Sequence, residues 1–158
     1  MTIDWKRPAG TPVSTPQRGL RGLLLGLLYF GAASAFGGGV LGVFANGAGV
    51  PLDYLAGSPF TSFLWPGLIL GAVVGGTQLL AAVTLQRRRP LGPLSSVVAG
   101  FGMLIWIFVE LAVMREYSVL QTLYFALGGL ELLAVFGLLG LVPASAETLQ
   151  ADVAGRDL

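Results

Sequence analysis

Arg87-Arg88-Arg89-Pro90-Leu91-Gly92-Pro93 is the only charge cluster between two long apolar hairpins, and it divides the chain into halves. Runs of roughly 20 apolar residues can cross a ~30 Å hydrocarbon core as helices rising 1.5 Å per residue. Outward from the arginines such runs occupy 63–86 and 95–114, then 20–43 and 119–142. Residues 44–62 form the one long connection, and 1–19 and 143–158 are polar tails.

Composition says the same. Only 11% of the 158 residues are charged, against about 25% in a soluble domain. That supply cannot cover a water-facing surface, so most of the surface should meet lipid. Short alternating segments of the barrel type are absent. The expected class is an all-α integral membrane protein, a four-transmembrane-helix bundle.

The chain has no Cys and no His. Disulfides, thiolate or imidazole metal sites, His-ligated haem and any Ser-His or Cys-His nucleophile are thereby excluded. Glu110, Glu131 and Asp53 are the candidate acids or bases, and no Lys stands near them. We therefore expect neither an enzyme, a cofactor nor a metal site. A net charge of +1 without a dispersed basic face gives no reason to expect a nucleic-acid partner.

Pro8, Pro12 and Pro16 interrupt the N-terminal tail, where Trp5, Lys6 and Arg7 sit, so it should be extended or disordered. Arg18 and Arg21 open the first span and can snorkel to an interface. Ala33-Ser34-Ala35 resembles a signal-peptidase site, but the apolar run continues through Phe36 to Leu41, so an uncleaved span is expected. In the long connection, Pro51 and Gly57 frame one short turn, Leu52 to Ala56, lying on the membrane surface or over the bundle's mouth. Ser58-Pro59 reads as an N-cap with a first-turn proline opening the next helix. Pro66 permits a kink, and Pro143 ends the fourth span.

Basic residues set the orientation. Lys6, Arg7, Arg18, Arg21, Arg87, Arg88, Arg89 and Arg156 fall on one side, and Arg115 on the other. Both termini should be cytoplasmic, with the Asp53 loop outside. The Arg87–Arg89 cluster is first a topology signal and second a candidate anionic-headgroup site.

In lipid, helix interfaces are marked by small and polar residues. The second span offers Gly67, Gly71, Gly75, Gln78 and Ala82; the first, Gly22, Gly26, Tyr29, Ala33 and Gly37. The fourth places Tyr117, Gln121, Tyr124, Gly128 and Glu131 on one seam. Gln78 and Glu131 each lie ~20 Å from the outer end of their spans, with Tyr29 within a turn of that level. One layer should collect the three. Glu110 sits only ~6 Å below the outer surface and is placed to meet Arg115, Tyr117 or Gln121. A charge at the bilayer centre costs roughly 2.5–3.5 kcal/mol on insertion scales. Glu131 therefore reads as helix-joining hydrogen bonder, as ligand or ion site, or as proton relay. Glu110 reads first as an interfacial partner of Arg115.

Taken together, Leu55-Ala56-Gly57-Ser58-Pro59-Phe60, Pro66-Gly67-Leu68-Ile69-Leu70, Ile105-Trp106-Ile107 and Leu123-Tyr124-Phe125-Ala126-Leu127-Gly128 resemble a group of small bacterial four-span inner-membrane proteins with a GSPF…PGLIL signature and no assigned function. The resemblance covers the spans and not the tails. It implies a fold and a bacterial inner-membrane location, and transfers no catalytic residue.

Two functional expectations follow. The first is an accessory or scaffold component that packs against itself as a homo-oligomer or within a larger membrane complex, amid membrane lipids. The alternative is small-molecule, lipid or ion binding or transport, with Tyr29, Gln78, Glu110, Gln121, Tyr124 and Glu131 as candidate ligand-binding residues.

Overall fold

A computed structural model of the chain describes residues 15–114 and 117–140. Within them the chain is helical without strands: α1 Thr15–Ala45, α2 Leu64–Gln86, α3 Gly92–Met114 and α4 Val119–Leu138. All four are long and apolar enough to cross a membrane. α1 and α3 each pack along α2 and α4, leaving α1 and α3 diagonal to one another. The result is an up-down-up-down bundle. One end carries Arg87–Arg89 (the arginine end); the other carries the Asp53 connection (the loop end).

Helix ends follow proline chemistry. α1 begins at Thr15, inside the expected tail, because Pro16 falls in the first turn, where no backbone N–H is needed. α3 likewise begins at Gly92, with Pro93 in its first turn. The residues 1–14, Arg115, Glu116 and 141–158, including Pro143 and Arg156, lie outside the described residues. α2 ends in a left-handed turn at Arg88 (φ 52°), with the Arg89 N–H donating to the Thr84 carbonyl at 2.9 Å and the Arg88 N–H to Leu85 at 3.0 Å. Arg21 crosses from α1 to cap the same helix, donating to the Leu85 and Gln86 carbonyls at 2.6 and 3.2 Å. A cation there also meets the negative end of the helix dipole.

The loop end departs from expectation at Ser58-Pro59. The Ser58 hydroxyl accepts the Phe60 N–H at 3.1 Å, closing a local turn, and α2 starts only at Leu64. Its first free donor, the Phe63 N–H, goes instead to Asn46 Oδ1 at 2.9 Å. Asn46 itself takes a left-handed backbone (φ 44°) to reach it. Pro51 precedes a 3₁₀ turn, Leu52–Leu55, that folds Leu55 into the bundle's mouth.

The glycine stripe of α2 does meet α1. A Cβ on Gly67 would come within 2.9 Å of Gly42 Cα, and one on Gly39 within 2.9 Å of the Gly67 carbonyl, so the two backbones touch. Gly75 seats the Phe36 ring. At 3.6 residues per turn a four-residue spacing drifts about 40° per step. Leu70–Gly75 is wound as a π-helix, whose wider turn holds Gly71 and Gly75 on the same face.

On α1 the expected inward stripe is wrong. Gly22, Gly26, Tyr29, Ala33 and Gly37 are all exposed, and a Cβ on Gly22, Gly26 or Gly37 would meet nothing within 4 Å. The inward face is Leu24, Leu28, Gly31, Ala32, Ala35, Gly39 and Gly42. α1 carries two stripes of small residues, and spacing alone does not say which has a partner. Two apolar clusters complete the interior. Leu24, Leu28, Ala81, Ala82, Leu85, Ala99, Ala134 and Val135 fill the arginine half; Ala35, Val74, Met103 and Leu127 form a thinner layer nearer the loop end.

The two glycine stripes give a paired prediction. Gly39→Ala should destabilise the bundle by about 1–3 kcal/mol, the scale of overpacking, because backbone must move. Gly26→Ala should leave the melting temperature in detergent unchanged or slightly higher, as expected from helix propensity. Equal losses from both would contradict this packing.

Candidate functional site

Apart from Ser96, which bonds the Gly92 carbonyl of its own helix, two adjoining features hold the buried polar side chains. The deeper is built on Gln78, which is fully buried. Its Nε2 donates to Glu131 Oε2 at 2.9 Å and approaches the Ala99 carbonyl at 3.5 Å. On its other side its Oε1 lies where a Cβ on Gly31 would fall, 2.9 Å away. One side chain of α2 thus touches α1, α3 and, across the diagonal, α4. Glu131 is also fully buried. Among the described residues, Gln78 Oε1 and Glu131 Oε1 have no hydrogen-bond partner. A proton on Glu131 would turn one of these acceptors into a donor.

Tyr29 does not join them. It is half-exposed, and its hydroxyl donates to Gln86 Oε1, about two turns of α2 (~12 Å) from Gln78. Helical side chains lean toward their own N-terminus. That of α1 is at the arginine end, so the phenol swings away from the Gln78 level. The residue at that level is Gly31, small enough to leave the amide its room.

Nearer the loop end the four helices border a half-open cavity of about 670 Å³. Its walls include Ser34 and Gly38 from α1, Leu70 from α2, Trp106 and Glu110 from α3, and Gln121 and Tyr124 from α4. Tyr54 and Phe63 close it from the long connection. The layer of Ala35, Val74, Met103 and Leu127 lies beneath it. The cavity thus gathers three of the expected candidates, Glu110, Gln121 and Tyr124. It excludes Tyr29, Gln78 and Glu131. The expected partner Arg115 lies outside the described residues.

The cavity's polar groups differ in how far they are committed. Gln121 Oε1 accepts the Ser118 N–H at 2.9 Å, one half of the box that caps α4. The Ser34 hydroxyl donates to the Gly31 carbonyl of its own helix at 3.0 Å. Among the described lining residues Glu110 is the only carboxylate, and no basic side chain joins it. Among the described residues, no group of three Asp or Glu side chains converges as metal ligands would.

Arg87, Arg88 and Arg89 are exposed at the opposite end, far from both features. Sequence reasoning missed Gly31, Asn46 and Trp106. Only Trp106 carried a usable signal: it stands four residues before Glu110, on the same helical face. No family model, curated protein or solved structure matches the chain, so the site rests on its own geometry.

The buried pair predicts strong coupling. Glu131→Leu should cost about 1–3 kcal/mol by stranding the Gln78 amide, and Gln78→Leu a similar amount by stranding the carboxyl group. The double variant should cost no more than either single, giving a coupling of roughly 1–3 kcal/mol in a double-mutant cycle. Strict additivity would show that the two side chains do not interact.

Proposed function

We propose that this chain is an integral membrane protein that binds a small, largely apolar molecule in the cavity near the loop end, without catalysing its conversion. The cavity carries this reading. Ligand sites of roughly 300–1,000 Å³ with apolar walls and a few polar groups are typical of small-molecule binding, and at about 670 Å³ this one falls within that range. Membrane insertion is supported by the side chains turned outward. Phe30, Val40, Leu80, Ile105, Phe108 and Leu133 are each more than half exposed. Such a surface is an aggregation liability in water and suits lipid.

In this reading the arginine end faces the cytoplasm and brings both termini there, following the positive-inside rule. The Asp53 loop and the cavity mouth face outward. The resemblance to four-span bacterial proteins points to the inner membrane. Homo-oligomeric or accessory packing is the second reading, and one observation favours it: the exposed small-residue face Gly22, Gly26, Ala33 and Gly37 of α1. Faces of that kind let membrane helices approach closely.

Ligand binding predicts that 1-aminoanthracene, a neutral fluorophore, reports a saturable site of about one per chain in detergent. Ser34→Leu, which projects into the cavity, should remove that site without lowering the melting temperature. Fluorescence that only rises linearly, as in an empty micelle, would refute the reading. For orientation, Asp53→Cys should react with a membrane-impermeant maleimide in intact cells. Labelling only after permeabilisation would reverse the topology.

A further inference from the structure

Building on the reading of the cavity as a ligand site, we propose that its ligand is an organic monocation with a bulky apolar body. Its charge sits beside Glu110, and its body lies among Trp106, Tyr124 and Phe63.

The charge of the wall comes first. Glu110 is its only formally charged side chain among the described lining residues. A carboxylate facing a mainly apolar enclosure loses hydration, and a cation brought alongside restores a partner. An anion would find no basic side chain among the described lining residues. A zwitterionic headgroup would bring a phosphate with the same difficulty.

The rings select the kind of cation. Tyr54, Phe63, Trp106, Tyr117 and Tyr124 line the cavity from the connection, α3 and α4. Ring faces attract ammonium and quaternary ammonium groups within about 6 Å of their centres. Trp106 and Glu110 lie four apart on α3, so an aromatic ring and the carboxylate share one wall.

Inorganic cations are disfavoured by the available oxygens. Calcium takes 6–8 oxygen ligands and magnesium near-octahedral coordination. Here the Ser34 hydroxyl bonds its own helix and Gln121 Oε1 is held in the α4 cap. Glu110 is the one anionic oxygen donor among the described lining residues, where such ions usually gather several. The volume, about 670 Å³, also far exceeds what one bare ion occupies.

The test uses the full chain in a maltoside detergent, with Trp5→Phe and Trp65→Phe so that Trp106 alone reports. Three probes of matched size are titrated: 4-phenylbutyltrimethylammonium, its neutral tert-butyl isostere and 4-phenylbutanesulfonate. The inference expects saturable quenching by the cation, with the other two weaker by roughly tenfold or more, the scale of one charge-assisted contact. Glu110→Gln should bring the cation down to the level of the neutral probe. Glu110→Asp should keep the cation preference, which separates lost charge from lost fold. Equal binding of cation and neutral isostere would overturn the inference while leaving a ligand cavity in place. Tighter binding of the sulfonate would overturn it too. Absence of saturable binding by all three would remove both the inference and the reading on which it rests.

Discussion

The amide of Gln78 is the point on which the bundle is registered. It belongs to α2, bonds Glu131 of α4 across the diagonal, lies against the Ala99 carbonyl of α3 and occupies the space left by Gly31 of α1. Apolar packing between helices is nearly indifferent to sliding. In a lipid setting it supplies little net force, since acyl chains are as apolar as leucine. A buried amide and carboxyl group are not indifferent, because separating them strands two polar atoms. Gly31 makes room for the amide itself, while Gly39, Gly42 and Gly67 let the α1 and α2 backbones touch nearer the loop end.

The molecule is layered along its axis as a consequence. From the arginine end come an apolar core, the Gln78–Glu131 pair, a thin apolar layer around Met103, and then the cavity with Glu110. The apolar core lies toward the arginine end; toward the connection a cavity remains between the helices, with Phe63 and Tyr54 of the connection on its wall. Two carboxylates thereby acquire different characters from their surroundings. Glu131 bonds a protein partner, Gln78, whereas Glu110 lines the cavity.

Much of this was legible in the residues. The four helices followed from apolar length, and the pairing of Gln78 with Glu131 from depth: two polar side chains at one level of the same bundle have few other partners. Tyr29 was assigned to the same level by position along its helix, which neglects the lean of helical side chains toward the N-terminus. The inward stripe of α1 was misread because two small-residue stripes run along that helix. Only the facing surface of α2 decides between them. Ser58-Pro59 has the chemistry of a helix start and of a tight turn alike, and the Asn46 side chain settled the matter from 17 residues away. The cavity had no sequence signature at all. It is a volume left unfilled between side chains of all four helices, and no single residue encodes it.

The central claim is that Gln78 and Glu131 point inward and bond each other. Dipolar recoupling by solid-state NMR in lipid bilayers, between a 15N-labelled Gln78 side-chain amide and a 13C-labelled Glu131 carboxyl, measures this directly. Strong dephasing is expected, as befits an N···O separation of 2.9 Å. Absence of measurable coupling in folded protein would place the two groups apart and contradict the account.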